Sequence, residues 1–239
     1  MCDCLPSAAL PATSRRRLLS GAAAFAALAS GASAFAADTP LPDNRIGGDA
    51  ALRRLVQGNL RYAQGKPTQR DFSVGRVART TGQKPFAAIL ACADSRVAPE
   101  LAFDQGPGDL FVVRLAGNFV NDDGIASMEY AAKFLDVPLI MVLGHSNCGA
   151  ISATIKVLQE NAVLPGHLPG LVASIRPAVE AATRRNPASL LEAATEQNVR
   201  QSVARLATSA PILGGMTESG AVRIVGAIYD LATGRVNLV

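Results

Sequence analysis

Leu110-Phe111-Val112-Val113 and Leu139-Ile140-Met141-Val142-Leu143 bracket a stretch, Asp123 to Leu135, that carries Ile125, Met128, Ala132 and Leu135 on one helical face. Both flanking runs are apolar at every position, which suits strands covered on two faces rather than strands half open to water. Strand, helix and strand in this order read as a parallel βαβ unit with a right-handed crossover. Phe86-Ala87-Ala88-Ile89-Leu90-Ala91 is a third run of the same kind, and Pro138 opens the strand at 139 after a short turn. The expected class is α/β, a mainly parallel sheet flanked by helices.

Working outward, Asp49 to Gln64 places Leu52, Leu55, Val56 and Leu60 at helical spacing, with Arg53, Arg54 and Arg61 outside and Gly65-Lys66-Pro67 as the stop. Residues 66–85 show no period and read as a loop with a short helix. Beyond Cys148 the pattern predicts helices to about Gln159, from Leu171 to Thr183 and from Ser189 to Thr208, with a loop over Val163–Pro169. Val222, Ile224 and Ile228, then Thr233-Gly234 before Val236 and Leu238, read as a terminal hairpin.

The chain has 239 residues, 49% of them hydrophobic and 18% charged, enough for one domain with a sound core. Ser14-Arg15-Arg16-Arg17-Leu18-Leu19 precedes an Ala-rich run that ends in Ala34-Phe35-Ala36. Paired arginines, a mild apolar region and an A-x-A end resemble a twin-arginine export signal. The expected organisation is a leader at 1–36, a linker at 37–47 and one domain at 48–239, cleaved near Ala36/Ala37 and delivered to the periplasm or outside the cell by twin-arginine export machinery. The Ala- and Gly-rich run is a poor membrane span, so no stable anchor is expected. The net charge is +4; without Arg15, Arg16, Arg17 and Asp3 of the leader it is +2. That near-neutral balance, with no Trp and 5% aromatics, argues against a nucleic-acid partner.

Of four cysteines, Cys2 and Cys4 fall in the leader, and Cys92 and Cys148 remain; the two histidines are His145 and His167. Cys92-Ala93-Asp94-Ser95-Arg96 follows the strand at 86–91, and His145-Ser146-Asn147-Cys148 follows the strand at 139–143. Both motifs therefore stand at carboxyl ends of parallel strands, where open α/β sheets hold ligands. If extended geometry continues, Cys92, Asp94 and Arg96 point to one side. On a helix start, His145 and Cys148 share a face. Two thiolates and one imidazole suit Zn²⁺ and balance its charge, leaving a fourth position for water. Asp94, held ionised by Arg96, is placed to orient that water. His167, in Pro165-Gly166-His167-Leu168-Pro169, has no spacing that ties it to the metal and reads as an exposed or packing residue.

These motifs, with Gly82-Gln83-Lys84-Pro85, Pro107-Gly108-Asp109-Leu110-Phe111-Val112-Val113-Arg114, Ala116-Gly117-Asn118 and Gly149-Ala150, resemble the β-class carbonic anhydrases over residues 48–239. The resemblance implies four parallel strands plus a C-terminal antiparallel strand, and reversible hydration of CO2 to bicarbonate and a proton. It implies one zinc per chain on Cys92, His145 and Cys148, an Asp94–Arg96 catalytic dyad, and a closed state in which Asp94 becomes the fourth ligand. Gln83 and the Gly149 amide would meet substrate, and Phe111, Ala116 and Tyr130 are candidates for the apolar lining. The implied assembly is a homodimer or a higher even oligomer with pockets at the interface, the helix at 49–64 embracing the partner. Leu115 stands where the family often has Asn. Ile89 stands where some members carry the Trp of a regulatory bicarbonate site, so that regulation is not expected. The rival readings are a carbonyl sulfide or carbon disulfide hydrolase using the same residues, a structural zinc module with Asp94 as fourth ligand, and a redox protein pairing Cys92 with Cys148.

Overall fold

The structure, a computed structural model, describes residue 41 and residues 43–239. The leader read at 1–36 and part of the linker lie outside these residues.

The elements follow in the order α1 (Gly48–Ala63), β1 (Ala87–Cys92), α2 (Pro99–Ala102), β2 (Leu110–Leu115), α3 (Asp122–Phe134), β3 (Leu139–His145), α4 (Gly149–Glu160), α5 (Leu168–Thr183), α6 (Leu190–Ala207), α7 (Ile212–Glu218), β4 (Arg223–Tyr229) and β5 (Val236–Leu238). The sheet order is β2-β1-β3-β4-β5. The first four strands are parallel and β5 pairs antiparallel with β4 through the terminal hairpin. Every residue of β1 and β3 is buried, as their apolar sequences require.

Alternation divides the core. Ala87, Ile89 and Ala91 of β1 face one layer with α1, while Ala88 and Leu90 face the other with α3 and α6. Local chemistry starts α3 cleanly. The Asn121 side chain accepts from the Gly124 amide at 2.9 Å, with Asp122 and Asp123 in the first turn and Lys133 in the last. Ser189 caps α6 in the same way, toward the Glu192 amide. Two short helices escaped the sequence reading. α2 has only four residues, and Gly214-Gly215 hide the helical character of α7, whose Leu213 is buried. No helix among the described residues is long and apolar enough to cross a membrane.

α6 lies very close to the sheet. A Cβ built on Gly144 would meet Val199 Cγ2 at 2.7 Å, and one on Gly226 would meet Val199 Cγ1 at 2.7 Å. Glycine at both positions lets one valine seat across β3 and β4. We expect Gly226→Ala to cost about 1–3 kcal/mol by overpacking. Gly215→Ala, with nothing within 4 Å of its new methyl, should be neutral or stabilising by up to about 1 kcal/mol. Urea unfolding of the two variants checks both signs.

Asp104 straps the segment after α1 to the body. Its side chain is 1% exposed and is ion-paired to Arg61 and Arg70. The Thr68 amide donates to it at 3.1 Å and the Thr68 hydroxyl at 2.8 Å. Burial pushes this carboxyl up, but the bonds from Arg70, Arg61 and Thr68 outweigh burial and hold it below the usual carboxylate range. A depressed folded value means the contribution is complete above the unfolded carboxylate range, about 4, and fades as pH falls below it. We therefore expect Asp104→Asn to lose of the order of 2 kcal/mol at pH 7, reduced because both guanidinium groups reach water. The gap from the parent chain should narrow at pH 3, as read from denaturant midpoints.

Candidate metal centre

Cys92 ends β1, His145 ends β3, and Cys148 immediately precedes α4. Ala91 pairs with Leu143 across β1 and β3, so the register brings the two strand ends together. One donor atom from each of Cys92, His145 and Cys148 lies within 4.8 Å of the other two, and all three residues are buried. His167 is exposed at the start of α5 and is not part of this trio.

The geometry at each strand end differs from the sequence expectation. Extended backbone does not continue past Cys92: the chain turns at Ser95 and Arg96, closed by Val97 N–H donating to the Asp94 carbonyl at 3.0 Å. That turn folds Arg96 back onto Asp94. His145 and Cys148 do not share a helix face either. His145 is still strand, and a turn through Asn147, at φ 53°, delivers Cys148 to the helix start. A left-handed residue there suits asparagine.

The trio fits zinc on its own chemistry. His145 Nδ1 lies 2.9 Å from the Ser146 carbonyl oxygen. That oxygen only accepts, so the ring donates from Nδ1 and presents the Nε2 lone pair. Nε2 is buried with no hydrogen-bond partner. Cys92 Sγ accepts from the Gly117 amide at 3.2 Å and the Asp94 amide at 3.4 Å. Its thiol is lowered to about 4, chiefly by its hydrogen bond with Cys148, then by His145 and these two amides, against the effect of burial. The same bond, with burial, pushes Cys148 up. A cation gains both sulfurs as thiolates only by displacing the thiol protons. Burial disfavours a protonated His145, but its interaction with Cys92 outweighs this and raises its value.

Asp94 stands beside the trio. Arg96 Nε donates to Oδ1 at 2.9 Å, Nη2 donates to Oδ2 at 2.7 Å, and the Arg96 amide adds a bond to Oδ1 at 3.0 Å. This fork holds the carboxyl well below its usual range. Oδ2 is 3.8 Å from His145 Nε2.

The remaining sequence candidates divide into two groups. Ala116 follows Leu115, the register partner of Cys92, and Gly149 follows Cys148, so both border the trio. Phe111 pairs with Ala88, four rows down the sheet from Cys92. Tyr130 has its ring 6.2 Å from that of Phe111. Gln83 precedes β1 and lines a cleft of about 680 Å³ with Tyr130, Arg79, Thr81 and Leu135. At about 3.3 Å per residue, β1 puts most of its roughly 17 Å length between Gln83 and Cys92 in one chain. Arg114 and Asn198 went unassigned in the sequence reading. Arg114 grips the backbone of the Cys92–Asp94 turn, and Asn198 donates to the Gly117 carbonyl at 2.8 Å. Both reach the site across the fold, which spacing alone does not reveal.

A sequence profile of the carbonic anhydrase family matches residues 87–236. The solved structure of the β-carbonic anhydrase CcaA superposes with a TM-score of 0.59 at 30% identity, over 78% of this chain and 94% of that one. The chain belongs to the β-carbonic anhydrase family. Carbonic anhydrase 2 of Mycobacterium tuberculosis is 39% identical over 187 residues, 78% of this chain and 90% of that protein. The carbonic anhydrase of Mycolicibacterium smegmatis is 40% identical over 190 residues, 79% and 92% of the two chains. Zinc is the metal of this family, and the cluster of Cys92, His145 and Cys148 is compatible with a zinc site.

We expect Cys148→Ser to retain the far-ultraviolet circular dichroism of the parent and to lose most of its bound zinc after brief dialysis against a weak chelator. Circular dichroism and metal analysis of the dialysed variant beside the parent check this.

Proposed function

We propose that this β-carbonic anhydrase interconverts CO2 and bicarbonate through a zinc site oriented by Asp94 and Arg96. The observation that carries the reading is a buried His145 Nε2 without a partner, facing two cysteine sulfurs and standing 3.8 Å from an arginine-clamped carboxylate. When bound, zinc supplies the Lewis acidity that lets water lose a proton near neutrality. Asp94, kept ionised by Arg96, would accept a hydrogen bond from water held at this site and so orient it toward CO2. Accepting requires a carboxylate without a proton, and the Arg96 fork favours that form. Gly149, with open space where a Cβ would stand, leaves room for substrate beside its amide.

Gln83, Phe111 and Tyr130 enter this reading through assembly. In a symmetric dimer, these residues of one protomer are available to the metal centre of the other. Tyr130 and Phe134 are exposed, and their rings lie 5.6 Å apart beside Phe111, which gives such a contact an apolar core. Twin-arginine export is proposed from the Arg15-Arg16-Arg17 leader, a route that carries the chain folded and with its thiols already ligated.

Asp94→Asn keeps the shape of the side chain and removes its charge. We expect it to hold about one zinc per chain and to lose about 100-fold or more in CO2 hydration, while the parent gains activity as pH rises. Stopped-flow hydration assays with metal analysis test the proposal; full activity in Asp94→Asn overturns it.

A further inference from the structure

Arg114 is the next-to-last residue of β2, beside Ala91 in register, and it is exposed. It makes no ion pair with a carboxylate among the described residues. Its guanidinium is directed at backbone instead. Nε donates to the Cys92 carbonyl at 3.0 Å and Nη2 donates to the Asp94 carbonyl at 2.7 Å. These carbonyls flank Ala93, so one planar fork spans the step between a metal ligand and the acidic residue beside it.

We propose that Arg114 is a positioning residue that keeps Asp94 aimed at the metal by fixing the backbone of this turn. The inference rests on the role given to Asp94 above. The parallel ladder between β1 and β2 ends at Cys92 and Leu115, and one further bond, Ala93 N–H to the Leu115 carbonyl at 3.2 Å, follows it. Past that point Asp94 has left the sheet. Arg96 holds its carboxylate, yet Arg96 belongs to the same turn and moves with it. The Val97 amide, which also donates to the Asp94 carbonyl, lies in that turn as well. Arg96 Nη2 reaches the Asn147 carbonyl at 3.2 Å and steadies the turn from the β3 side. Arg114 is the matching tie from the β2 side. With its carbonyl held from β2 and its carboxylate held by Arg96, Asp94 is restrained at both ends. A lysine keeps the charge but lacks a rigid fork for two carbonyls, so it can replace the charge of Arg114 and not its geometry.

The test uses the zinc-loaded protein with Arg114→Lys and Arg114→Ala, each alone and combined with Asp94→Asn. Both single variants should keep about one zinc per chain. Arg114→Ala should lower kcat about tenfold or more through misplacement of Asp94, and Arg114→Lys should fall between it and the parent. The visible spectrum of the cobalt-substituted Arg114→Ala protein should differ from that of the parent. In the Asp94→Asn background, removal of Arg114 should cost less than about twofold further, because the residue it positions is already disabled. Parent-like kcat and cobalt spectra in both Arg114 variants overturn the proposal. So does an equal loss with and without the Asp94 carboxylate. If Arg114→Ala does not fold, the same two readings on Arg114→Lys decide. Full activity of Asp94→Asn alone overturns the Asp94 reading together with this one, whereas a low value there with parent-like Arg114 variants removes only this one.

Discussion

The pairing of β1 with β3 is the constraint on which the rest of the molecule depends. Ala91 stands opposite Leu143, so the two strands finish within a residue or two of one another, and Cys92 and His145 emerge side by side. Side chains alternate along a strand, so a slip of one residue would turn every core side chain to the opposite face. Ahead of Cys92 and His145 every residue of the two strands is apolar or glycine, and both strands are buried along their whole length. Burial of apolar surface therefore sets the register, and the register sets the separation of the donors. The chemistry of the site inherits its precision from the least chemical part of the sequence.

Three elements then convert two strand ends into an ordered centre. α4 begins directly after Cys148, and the backbone amides of Ile151 and Ala150 partly offset the upward push that Cys92 and burial give its thiol. The loop after β2 turns the Gly117 amide onto Cys92. α6 holds that loop in place, since Asn198 donates to the Gly117 carbonyl and Ser202 donates to the Asn118 carbonyl at 3.4 Å. Gly117 is at φ +82°, and a Cβ there would lie 2.6 Å from Ile175 Cδ1, so both its backbone angle and its surroundings call for glycine.

The parallel strands were legible because their apolar runs are unbroken. The reading at 86–91 against β1 at Ala87–Cys92, and at 139–143 against β3 at Leu139–His145, differs only at the ends. The Cys, His, Cys set was legible because zinc chemistry needs those residue types and the chain offers few of them. What spacing could not supply was the path of the chain after each strand. The turn at Ser95–Arg96 and the left-handed Asn147 depend on local closure and capping, and both replaced a simple continuation of strand or helix. Contacts between residues far apart in sequence, such as Arg114 with Asp94 or Asn198 with Gly117, carry no periodic trace at all. α2 and α7 are too short, or too rich in glycine, to show a helical period.

Gly144 precedes the metal-facing His145 and has no side chain to offer the reaction. Its contribution is the space that Val199 occupies above β3. A Cβ there would press on Val199 of α6, the helix that also carries Asn198. Variation at position 144 is therefore tied to the residue at Val199, more than fifty positions further along the chain. In this chain the strand and the helix must change together at this point or both stay as they are.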